Sequence, residues 1–184
     1  MNRFVLSLAF ITAIALQTKA QVLMTRTGKI HFDATTKASP EKVEGKNNEV
    51  ACILDEKTGD IRFQVLVKSF KFERQLMEEH FNENYMESDK FPKSDFKGTI
   101  ANLSEVNFAK DGNYPVKVTG KMTMHGVTNE LTASGTLMVK GNTVELKSKF
   151  SLKLADYKIE IPGAVADKID KSATLTVESE MTKK

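Results

Sequence analysis

The side chains best suited to acid–base, nucleophilic or metal chemistry in this sequence are three histidines, one cysteine and a scatter of carboxylates. His31, His80 and His125 stand far apart, outside any HExxH or paired-cysteine spacing. A zinc site needs three or four ligands in a defined geometry, so no metal is expected. Cys52 lies in Val50-Ala51-Cys52-Ile53-Leu54, an apolar run that reads as a buried small hydrophobe. As the single cysteine it cannot form an internal disulfide. There is no Gly-rich phosphate loop and no G-x-S-x-G elbow. Asp156-Tyr157 is set apart from the other carboxylates because it follows an apolar strand and precedes Ile159-Glu160-Ile161-Pro162. An Asp there either caps a turn or faces a pocket mouth, and if buried it needs partners. His80 falls beside Leu76 and Phe81, either as a packed residue or as a polar contact for a ligand headgroup. These groups offer no nucleophile with a base at hand, so the expectation is a binding protein, not an enzyme, without a cofactor.

The elements that must position them follow a period of two, which marks strands. Val116 to His125 alternates apolar or Gly with polar residues, and Val144 to Leu154 and Leu175 to Met181 do the same. Turn chemistry separates the runs at Lys57-Thr58-Gly59-Asp60, Asp111-Gly112-Asn113, His125-Gly126-Val127-Thr128 and Lys140-Gly141-Asn142. Eight strands are expected near 27–36, 47–55, 60–70, 94–103, 114–125, 129–140, 143–154 and 172–181. Residues 73–86 break the pattern. Leu76, Met77, His80 and Phe81 gather on one side of an amphipathic helix between the third and fourth strands. A short helical turn is expected around 163–170, after Pro162.

Eight antiparallel strands at hairpin spacing predict an all-β fold, a barrel whose closure removes exposed edges. An eight-stranded barrel is either filled by its own side chains or holds one small ligand, and alternation alone fits both. The inward set is mid-sized and flexible, and no Trp is available to plug the centre. Gly98, Gly120 and Gly135 fall at inward positions, which leaves space or lets strands bend.

The first twenty residues read separately. Arg3 precedes the uncharged run Phe4 to Leu16, and Thr18-Lys19-Ala20 supplies small residues before a cut after Ala20. This is the pattern of a secretory leader, and the run is shorter than a bilayer span. A periplasmic or secreted location follows as an expectation. Residues 21–184 then form one domain whose length suits a single core. The leader holds Arg3 and Lys19 and no acid, so the remaining charge falls from +3 to +1. That balance, with signs interspersed, argues against a nucleic-acid footprint, and no further stretch reads as a membrane span.

Three blocks of the sequence stand out together. The first is Met77 to Gly98, with its Phe91-Pro92 and Phe96-Lys97-Gly98. The second is Val118 to Thr128, containing His125-Gly126-Val127-Thr128. The third is Phe150 to Pro162, containing Asp156-Tyr157-Lys158-Ile159-Glu160-Ile161-Pro162. In their residues, order and spacing these three blocks resemble the YceI family over nearly the whole chain after the leader. The chain departs from the commoner pattern in having Gln75 after Arg74, where many members have Arg-Asp, and Lys153 before Asp156, where many have Arg. The resemblance implies a lipocalin-like barrel whose interior takes a long isoprenoid or similar amphiphile. On this reading the candidate lining residues are Phe63, Val65, Leu76, Phe81, Phe96, Val118, Met122, Met124, Phe150 and Leu152. His80, Asp156 and Tyr157 are the candidates for the polar end. The alternatives left open are an envelope structural or stress-response protein with a filled core, and an enzyme acting on a lipid or peptide. A homodimer also stays open.

Overall fold

The computed structural model describes residues 22–183. The leader expected over residues 1–20 lies outside them. The strands are β1 (Val22–Thr35), β2 (Glu44–Asp55), β3 (Asp60–Leu66), β4 (Lys71–Phe72), β5 (Lys93–Ile100), β6 (Gly112–Met124), β7 (Val127–Lys140), β8 (Thr143–Lys153) and β9 (Ile169–Lys183). All pairings are antiparallel. They run in the order β1-β9-β8-β7-β6-β5-β3-β2, with β4 on the edge of β2, and β1 pairs with β2 to close the ring. Eight long strands therefore make a closed barrel, as the alternation predicts, and β4 is a two-residue appendage.

In β6, Val116, Val118, Met122 and Met124 are buried while Lys117, Thr119 and Lys121 are exposed. Period-two alternation thus becomes an inside and an outside. Gly98 and Gly120 are partners across β5 and β6. A Cβ on Gly98 would meet the Thr119 carbonyl oxygen at 2.6 Å, so glycine here permits close backbone approach and leaves no space. In β1 the register slips between Thr25 and Gly28 and again before Ile30. That bulge shifts the phase of the strand, which is why alternation alone recovers it only from residue 27 onward.

The expected helix is shorter and changes type. Gln75–His80 is α-helical and Phe81–Tyr85 is a π-helical turn, with Met86 N–H donating to Phe81 O at 2.9 Å. It is tied down by Arg74 to Glu41 (2.5 Å) and by Lys71 to Glu78 (2.6 Å). The row Met77–Phe81 faces the barrel most squarely. Leu76 and His80 form the neighbouring row, about 100° round the helix, and both are exposed. The turn expected around 163–170 is a short 3₁₀ piece, Gly163–Val165.

The interior divides in two. At one end Leu23, Cys52, Leu54, Leu137, Val139, Val144 and Met181 are almost wholly buried and pack into a solid floor. At the other end, below the helix, Val65, Phe81, Met122, Met124, Leu152 and Tyr157 belong to a second cluster.

Candidate functional site

That second half is hollow. An inner cavity of about 80 Å³ is walled by Ile61, Phe63, Val65, Phe96, Val118, Met122, Leu131, Ala133, Leu146, Phe150, Leu175 and Val177. A middle cavity of about 60 Å³ shares Ile30, Val65 and Met122 with it and adds Phe70, Phe81, Met124 and Leu152. An outer cavity of about 170 Å³ shares Phe32, Phe81, Met86, Leu154 and Ile159 with the middle one, and is finished by Phe72, Met77, His80, Tyr85, Ile161 and Lys168. The three abut in a row from the floor to the helix. Phe63, Phe96 and Phe150 point inward yet are only half-buried, because they border space.

Phe81 stands where the middle and outer cavities meet. Its ring centroid lies 5.8 Å from Phe32, 5.4 Å from Phe70 and 4.9 Å from Phe72, all in tilted contact. The π-helical turn places it there, and such turns recur at functional positions. Polar groups are sparse along the row. Ser94, Asp95 and Ser148 touch the inner cavity, whereas His80, Tyr85 and Lys168 stand at the outer one. Burial raises the Tyr85 phenol above its ordinary pKa, which keeps its proton on the oxygen.

The candidate residues therefore separate. Phe63, Val65, Phe96, Val118, Met122 and Phe150 wall the inner cavity, Met124 and Leu152 the middle one, and Phe81 and His80 the outer one. Leu76 is 53% exposed and lines none of them. Asp156 is exposed on a 3₁₀ turn, Leu154–Tyr157, where its backbone carbonyl accepts from Asn129 at 2.7 Å, so it is a turn residue and lines none of the cavities. Tyr157 is buried but walls no cavity, and its phenol is raised by burial and then by Asp156. Ile30, Leu131 and Lys168 line cavities without having been expected to. Ile30 follows the β1 bulge, Leu131 continues the alternation of β7, and Lys168 sits in a loop with no period to betray it.

His125 works beside the cavities. Its Nε2 lies 2.8 Å from Glu87 Oε2 and its Nδ1 lies 3.0 Å from the Tyr157 carbonyl, with Phe91 edge-on at 4.9 Å. His125 and Glu87 both adopt positive φ, 51° and 42°. The clamp joins the β6–β7 turn, the segment after the helix and the 3₁₀ turn after β8. Among the described residues no three His, Cys, Asp or Glu side chains gather as metal ligands, and no helix is long and apolar enough to cross a membrane.

Comparison with solved structures places this architecture. A polyisoprenoid binding domain from Saccharophagus degradans, implicated in plant cell wall breakdown, superposes with a TM-score of 0.76 at 11% identity, covering 90% of this chain and 100% of that one. BcnA from Burkholderia cenocepacia gives 0.68 at 15% identity, covering 84% and 96%. A YceI protein from Campylobacter jejuni gives 0.59 at 16%, covering 81% and 90%. At these identities the likeness concerns the fold. No curated protein matches the chain. The YceI-like domain family matches residues 21–181, nearly everything that follows the expected leader, and the chain belongs to that family.

Proposed function

We propose that this protein is an exported carrier that holds an isoprenoid or fatty amphiphile inside the barrel, with the chain in the inner and middle cavities and the polar end by His80, Tyr85 and Lys168. One observation carries the reading: three apolar cavities abut in a row above a closed floor, and His80, Tyr85 and Lys168 stand together at the end below the helix. Each CH₂ withdrawn from water contributes about 0.8 kcal/mol, which a long chain multiplies. The cavities are small, since roughly 150 Å³ holds a benzene ring in an apolar core. A long guest therefore needs Phe81 and the flexible Met86 to swing aside. The polyisoprenoid binding domain from Saccharophagus degradans supports the choice of guest. The leader pattern supports a periplasmic or secreted site of action. Catalysis is disfavoured because His80 and Tyr85 face apolar walls without a nucleophile between them.

Native mass spectrometry of the protein purified from its own envelope fraction tests the proposal. A co-purified lipid mass is expected. An empty protein that also refuses apolar dyes would support the filled, structural reading.

A further inference from the structure

We propose that a gap between β7 and β8 is a side window through which the tail of a bound amphiphile leaves the inner cavity, so that chains longer than the cavity are accepted. The inference rests on the carrier reading above. The β7–β8 ladder ends at Gly135 opposite Ser148, although both strands run on. β7 stays paired to β6 as far as Val127, and β8 to β9 as far as Lys153. One side-chain bond closes the corner nearest the floor, where Ser148 Oγ donates to Ser134 O at 2.7 Å. The next tie is Asn129 Nδ2 donating to Asp156 O, also 2.7 Å. Among the described residues no hydrogen bond joins Glu130–Ala133 to Lys149–Lys153 between those two points.

Unpaired strand edges must turn their amides to water, so the gap is wet outside. Its inner lip is apolar, because Leu131, Ala133 and Phe150 line the inner cavity on this very stretch and are only half-buried. The axial routes are shut. Leu137, Val144 and Met181 in the floor have no exposure, and Phe81 stands toward the helix. Along β3 the inner cavity runs from Ile61 to Val65, ~13 Å at ~3.3 Å per residue. A tail that passes Phe81 and exceeds that length meets the floor and has only the side to leave by.

The experiment bridges the window from outside. Thr132 and Ser151 are exposed and stand on opposite sides of the gap, each three residues beyond the last paired residue of its strand. The Thr132→Cys/Ser151→Cys protein is bridged with dibromobimane, while native Cys52 is buried. Glu130→Cys/Lys153→Cys, a second exposed pair, serves if the first misfolds. Native mass spectrometry then titrates a fifteen-carbon and a fifty-carbon prenyl alcohol. Bridging is expected to weaken the long chain by about tenfold or more and leave the short one within about twofold. A bridged protein that binds the long chain as well as the unbridged one overturns the window and leaves the carrier reading intact. Equal loss of both chains also overturns it, since the bridge then acts on the cavity. A wild-type protein that takes neither chain overturns the carrier reading and the window together.

Discussion

Phe81 is the residue on which the hollow half turns, because it contacts three aromatic partners and borders two cavities. Phe81→Ala removes a buried ring with nothing to replace it, at a cost of about 3–5 kcal/mol, and merges the middle and outer cavities. Thermal unfolding is expected to fall accordingly while apolar dye uptake becomes faster. Cys52 has the opposite character. Burial pushes its thiol from the ordinary value near 9 up to about 12. Between pH 9 and about 12 the unfolded chain ionises and the folded one does not, so stability is full below pH 9 and falls as pH rises through that window. Cys52→Val is expected to flatten this alkaline slope in urea titrations at pH 8 and 10.5. A slope unchanged by the substitution rules out the thiol as its source. His125 was legible only as a turn residue. The Tyr157 carbonyl can only accept, so Nδ1 carries the proton of that bond, while Nε2 pairs with the Glu87 carboxyl on the other side of the ring. His125→Asn keeps the tolerance for positive φ but reaches fewer partners, and about 1–3 kcal/mol of stability is expected to go.

At the scale of elements, alternation was legible wherever a strand is regular. β6 and β8 appear almost where Val116–His125 and Val144–Leu154 place them, and β9 contains Leu175–Met181 but begins earlier, at Ile169. It was illegible where the backbone departs from regularity: at the β1 bulge, at Leu66 where β3 ends in a 3₁₀ turn, and at the π-helical turn that splits the helix. Those departures depend on hydrogen-bond register, and residue type does not report it. The inward glycines show the same limit. Their phase was readable, but whether they make room or allow contact depends on the partner strand. Gly120 faces Gly98, and an added Cβ would run into the backbone of Lys97 and Gly98. Backbone cannot swing away as a side chain can. Gly120→Ala is therefore expected to cost more than the ~1 kcal/mol usual for a point change, with melting lowered by several degrees. A melting point within a degree of wild type would mean that β5 and β6 separate at little cost.

For the whole molecule, closure was predictable from eight strands, whereas the balance of solid floor and hollow top was not. The same mid-sized residues serve both, and Val144 fills while Val177 leaves space. Only the ring geometry and the π-helical turn decide between them. The distinction has a measurable consequence at Val118, which borders both the floor cluster and the inner cavity. In a filled interior Val118→Phe overpacks and costs about 1–3 kcal/mol. Here the added ring has a void of about 80 Å³ to enter, so stability is expected to change by less than about 1 kcal/mol. The same ring takes the place of a guest. A prenyl alcohol at 100 times its Kd stabilises the wild type by about 2.7 kcal/mol, a shift of several degrees in a chain of this size. Val118→Phe should lose most of that shift while keeping its own melting point. Calorimetry with and without the alcohol reads both quantities at once. A variant that is strongly destabilised, in a protein whose wild type shows no shift, would mean that the walls close on one another when the barrel is free in solution.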